Sequence, residues 1–120
     1  MARQYLVTIR NGPKVQHARA PTLDEALAEL ESRMRELAGD VRLDPVDLRY
    51  RRFEPVQQVA ARGEVAGPGR LRGGVDLRGD GSAEAFTGRL RRRLVEQREG
   101  ETPYDALRRA LGAGSTSAGP

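Results

Sequence analysis

Residues 59 to 95 constrain this chain most, because two turn signals inside an alternating stretch specify strand registers that can be written down from the sequence alone. If Asp80-Gly81 is a two-residue hairpin loop, Leu71 stands opposite Leu90, Gly73 opposite Gly88 and Val75 opposite Phe86, with Leu77 against Glu84 as the one mismatch. If Gly67-Pro68-Gly69 is a three-residue loop, Val65 falls opposite Leu71, Gly63 opposite Gly73, Ala61 opposite Val75 and Val59 opposite Leu77. Both turns gather the apolar side chains on one side of a sheet. A helix over 82–97 competes, since Ala83, Phe86, Leu90 and Leu94 also fit a 3.6-residue period, but Thr87 and Gly88 in its middle weigh against it.

The segments before and after supply the rest of a small domain. Residues 4 to 10 are rich in β-branched and aromatic types, and Asn11-Gly12-Pro13 is turn chemistry ahead of Val15 to Ala20. A hairpin follows, with Ile9 opposite Val15 or Val7 opposite Ala18 according to loop length. Thr22 and Glu25 form a capping box, and Leu23, Ala26, Leu27, Leu30, Met34, Leu37 and Ala38 recur at helical spacing, predicting a helix over 22–38 that ends at Gly39. Asp44-Pro45 restarts the chain as a strand (Val46, Leu48, Tyr50) or a short capped helix, interrupted by Pro55. Thr102, Pro103 and Asp105 open a last helix over 103–111 whose stripe is Ala106, Leu107, Ala110 and Leu111. Residues 113 to 120 hold nothing to bury and are expected as a disordered tail after a single domain over 1–112.

The expected fold is therefore α+β in the order ββαβββα, an antiparallel sheet with its helices on one face. Leu, Ile, Val and Phe make up 25 of the 120 residues, enough for a modest core. The absence of Cys and a single His, His17, leave no thiolate site and no ready metal or catalytic dyad. The apolar run Tyr5 to Ile9 is too short for a signal or membrane segment, so the expectation is a cytoplasmic, non-enzymatic chain with no cofactor, metal or membrane contact.

Charge is the remaining signal. Of 21 basic residues 20 are Arg, a bias that a GC-rich coding sequence produces without any functional cause. Position says more than number: residues 1 to 20 carry four basic and no acidic groups, whereas 21 to 50 carry four against eight. In the derived register, the sheet face away from the apolar one holds Arg62, Arg70, Arg72, Arg78, Arg89, Arg91 and Arg93 against Glu64 and Asp76. Arg72 there faces Arg89 and Arg70 faces Arg91, like-charge pairs that disfavour the ladder unless an external anion offsets them. The rival reading is a solvated face whose charges deter edge aggregation. No aromatic residue falls on that face in this register, so a stacking platform for nucleic acid is missing.

The stretch Thr22-Leu23-Asp24-Glu25-Ala26-Leu27 after a hairpin resembles the helix opening of the HicB antitoxin family, while that family's Pro-Gly-Cys element is absent. The sequence leaves a binding or assembly module in which Arg62, Arg70, Arg72, Arg89, Arg91 and Arg93 engage an acidic protein partner or a second copy in a homo-oligomer. Backbone-directed binding to nucleic acid or the ribosome is the alternative.

Overall fold

The computed structural model describes residues 4–42, 59–88 and 92–112. Its elements are β1 (Tyr5–Asn11), β2 (Lys14–Ala20), α1 (Leu23–Arg42), β3 (Val59–Ala66), β4 (Arg72–Arg78), β5 (Ala83–Thr87), β6 (Arg93–Leu94) and α2 (Pro103–Leu111). The strands form one antiparallel sheet in the order β2-β1-β3-β4-β5-β6. This is the expected α+β order with a short sixth strand folded back on β5, and the described residues of 82–97 hold strands where the rival reading placed a helix. The strand or helix read at 44–51, Pro55 and the tail 113–120 lie outside the described residues.

Both helices pack on one face of the sheet because glycines there remove the side chains that would hold them off. A Cβ on Gly63 would sit 2.4 Å from Leu30 Cδ1 of α1, and one on Gly73 3.0 Å from Leu107 Cδ1 of α2. Around them Val7, Ile9, Val65, Val75, Leu77 and Ala85 meet Leu27, Leu30, Met34 and Leu107 in the core. Thr22 Oγ1 accepts the Glu25 N–H at 3.1 Å, as the capping signature requires. The helix, however, runs through Gly39 to Arg42, since a mid-helix glycine costs only about 1 kcal/mol relative to Ala and does not by itself stop a helix. At α2, Thr102 and Asp105 form the reciprocal capping box and Gly112 ends the helix at φ 90°. Its buried stripe is Tyr104, Ala106 and Leu107; Ala110, expected in the stripe, is exposed.

The registers differ from the sequence reading in an instructive way. In the first hairpin Val7 pairs with Ala18, one of the two alternatives. Between β3 and β4 Val65 meets Gly73 and Gly63 meets Val75, two residues from expectation, because the turn spans 67–71: the Gly67 N–H bonds the Leu71 carbonyl at 3.0 Å. A shift of two preserves which side chains share a face. Between β4 and β5 the shift is one. Val75 meets Ala85 and Leu77 meets Ala83 across a three-residue loop, with the Gly81 N–H donating to the Arg78 carbonyl at 2.9 Å and Gly81 at φ 90°. That loop asks only Gly81 to be left-handed, where a type I′ loop would ask the same of Asp80. Asp80 Oδ1 instead accepts the Ser82 N–H at 2.9 Å. The slip also removes the Leu77–Glu84 mismatch.

A one-residue slip turns β5 over, so Ala83, Ala85 and Thr87 lie on the helix side while Glu84 and Phe86 lie on the other.

Candidate functional site

The sheet face without helices carries three cross-strand rows. The register sets Val15, Arg10, Arg62, Asp76 and Glu84 in one, His17, Thr8, Glu64, Gly74, Phe86 and Leu94 in the next, and Arg19, Leu6, Ala66 and Arg72 in the third. Phe86, expected in the core, is 1% exposed on this open face. Its ring covers Gly74, where a Cβ would lie 2.8 Å from Phe86 Cζ. Above it the Arg92 and Arg62 guanidinium carbons stand 4.8 and 5.7 Å from the ring centroid. An aromatic residue therefore does occupy this face, contrary to the sequence reading, but the arginines roof it and it offers no surface to a base.

Most arginines of the central strands are committed to carboxylates. Arg62 forks onto Asp76, with Nε 2.5 Å from Oδ1 and Nη2 3.2 Å from Oδ2, and this bond holds the guanidinium pKa above its ordinary value. Arg78 Nη2 donates to Glu84 Oε1 at 2.6 Å. Glu64, whose side chain is 11% exposed, is flanked by Arg92 at 3.6 Å and Arg72 at 3.8 Å. Like charges do oppose one another across the ladder, but as Arg10 with Arg62 and Asp76 with Glu84, and the flanking ion pairs compensate the inner members.

Of the residues proposed from sequence as one anion site, the four that are described stand apart from one another. Arg62 and Arg72 are ion-paired on the open face. Arg70 is exposed at φ 64° in the turn before β4, outside the ladder. Arg93 pairs with Thr87 and belongs to the helix side, a direct consequence of the one-residue slip. Arg89 and Arg91 lie outside the described residues. The expected pairings of Arg72 with Arg89 and of Arg70 with Arg91 therefore lie outside the described residues; within them β5 ends at Thr87, and the Gly88 N–H bonds the Arg72 carbonyl at 3.0 Å.

The sequence reading passed over the cations of the first hairpin. Arg10, Lys14 and Arg19 are exposed and make no ion pair among the described residues. The signal was present as the absence of any acid in residues 1 to 20. On the far side of the molecule, α1 carries Asp24, Glu25, Glu29, Glu31 and Glu36, of which Glu29 and Glu31 hold Arg33 and Arg35.

Two other arrangements place polar groups together. His17 Nδ1 lies 3.2 Å from Thr8 Oγ1, and Glu64 is the next side chain in that row. The acid neighbours the hydroxyl instead of the imidazole, so the row lacks the acid–imidazole contact of a nucleophilic triad. A cleft of about 340 Å³ lies between the end of α1, the Gly81 turn and the start of α2, lined by Arg35, Ala38, Gly39, Ala83, Thr102, Pro103 and Tyr104. Its polar groups are engaged: Arg35 donates to Glu31 at 2.8 Å and lies 5.0 Å from the Tyr104 ring centroid, and Thr102 caps α2. Burial pushes the Tyr104 phenol up. Among the described residues no three His, Asp or Glu side chains gather as a metal set, and no helix is long and apolar enough to cross a membrane.

Comparison of the chain with family models, with curated proteins and with solved structures found no match.

Proposed function

We propose that this protein is a small non-enzymatic binding module that engages an acidic protein surface through the exposed cations of its first hairpin. The observation that supports this reading is the contrast in pairing. Arg10, Lys14 and Arg19 are exposed without carboxylate partners among the described residues, while Arg62, Arg72 and Arg78 of the adjacent strands are ion-paired. Unpaired surface cations steer an acidic partner and fix its orientation, whereas an arginine already forked onto a carboxylate must first give up that bond. A second copy is a poorer partner, because Asp24, Glu29 and Glu31 of α1 are already ion-paired with Arg108, Arg33 and Arg35 and would have to give up those bonds.

The discriminating experiment is titration of the full chain with poly-L-glutamate and with a random DNA duplex at low and at physiological salt. The expected result is saturable polyglutamate binding that Arg10→Ser with Arg19→Ser abolishes. Preference for the duplex, with affinity falling steeply as salt rises, would replace this reading with backbone-directed nucleic-acid binding. Absence of binding to either polyanion at low salt would overturn it.

A further inference from the structure

The hairpin leaves more than exposed charge, because among the described residues β2 is bonded to β1 on one side only and ends the sheet. Its burial runs exposed from Lys14 through His17, half-buried at Ala18 and exposed again at Arg19. Seven residues give about 23 Å of strand whose outward N–H and C=O groups have no partner strand among the described residues. The opposite edge is β6, two residues long. Edge strands of this length are commonly blunted by charge. Here Lys14 and Arg19 stand near the ends of the strand, with Val15, 45% exposed, and His17 between them.

The sign of those charges selects among occupants. In one self-pairing register a second copy would set Arg19 directly against Arg19 of its mate, and in every register it would bring two basic edges together with no acid from either strand. An acidic strand meets none of this. We propose that β2 accepts an extended acidic segment of a partner protein as an added antiparallel strand. This rests on the reading above that the partner is an acidic protein, and it supplies the mode of recognition, in which main-chain bonds give affinity and alternate side chains give selectivity.

The register of β2 converts this into a sequence preference. Val15, His17 and Arg19 project on the open side and Lys14, Gln16 and Ala18 on the helix side. An incoming antiparallel strand therefore places an acid opposite Arg19, a second acid opposite His17, an apolar residue opposite Val15 and a third acid opposite Lys14. The shortest fitting peptide reads Glu-Thr-Glu-Thr-Val-Glu.

The test uses the full chain and that peptide, dye-labelled, with affinity read by fluorescence anisotropy at low salt. Two further peptides carry N-methyl groups on residues one, three and five or on residues two, four and six. Only one of these sets directs its N–H groups at β2, so one peptide is expected to lose roughly tenfold or more in affinity and the other to lose little. Binding of the parent peptide with both N-methyl sets affected alike overturns strand addition while leaving the acidic-partner reading standing. No binding of the parent peptide near millimolar concentration overturns both. A concentration-dependent dimer that Arg19→Glu alters would make a second copy the occupant and overturn the proposal. Lys14→Glu with Arg19→Glu, both exposed, is expected to keep the thermal midpoint and to reverse the preference toward a peptide with Lys in place of Glu. Retained preference for the acidic peptide in that variant would overturn the proposed register.

Discussion

The centre of the open sheet face and the first hairpin carry the same residue type in opposite roles. On β3 and β4, Arg62, Arg72 and Arg78 are each held by a carboxylate, and Arg62 joins Arg92 in covering a buried Phe86. On β1 and β2, Arg10 and Arg19 are exposed with no ion pair among the described residues. A count of arginines along the sequence ranks the centre higher, whereas the pairing ranks the hairpin higher. The lesson is that a guanidinium contributes to binding only to the extent that its neighbours leave it available.

Substitutions that remove the centre's framework should have the largest effects. Phe86→Ala is expected to lower stability by about 3–5 kcal/mol, measured by denaturant unfolding, because it empties a buried site and strips the arginines of their aromatic support. A loss below about 1 kcal/mol would mean that the roof closes over the gap and that the centre is less structural than described. Gly74→Ala is expected to cost about 1–3 kcal/mol, since the added Cβ would lie 2.1 Å from the Gly63 carbonyl oxygen as well as against Phe86. Asp76→Ala should cost about 1–2 kcal/mol by leaving Arg62, half-buried, without its carboxylate. Arg10→Ser and Arg19→Ser should each stay within about 0.5 kcal/mol of the parent, as solvent-exposed positions do.

A pH measurement sharpens the contrast from outside both regions. Glu101 accepts from Arg109 at 2.9 Å and from the Arg98 N–H at 2.8 Å, and these bonds lower its carboxyl pKa from 4.5 to about 2. A depressed carboxyl stabilises the fold above its ordinary pKa and loses that contribution as pH falls through the folded value. Acidification from about 4.5 to 2 should therefore loosen the start of α2, seen as lower amide protection factors, relative to the intrinsic exchange rate at each pH, at 105–107, and Arg109→Ala should remove this step from the profile.

Much of the fold was readable in the sequence because its signals are local. The capping pairs Thr22 with Glu25 and Thr102 with Asp105 mark both helix starts, and the alternation over 59–78 marks β3 and β4. What was not readable is the choice between turns that differ by one residue. Asp80-Gly81 suits a two-residue loop, and Gly79-Asp80-Gly81 suits a three-residue loop equally well in local terms. The decision comes from packing Leu77 on Ala83 and from pairing Arg78 with Glu84 across the sheet. That single step placed Phe86 on the open face and Arg93 on the helix side, away from Arg62 and Arg72. The hairpin cations were visible in the sequence, but their importance depends on ion pairs that only the tertiary structure reveals.

The most direct test of this division is a paired measurement on three proteins: the parent, Arg62→Ser, and Arg10→Ser with Arg19→Ser, each assayed for unfolding free energy and for polyglutamate affinity. The account predicts that Arg62→Ser loses stability and keeps its affinity, and that the hairpin variant keeps its stability and loses its affinity. The reverse pattern, with affinity following Arg62 and stability following the hairpin, would contradict it.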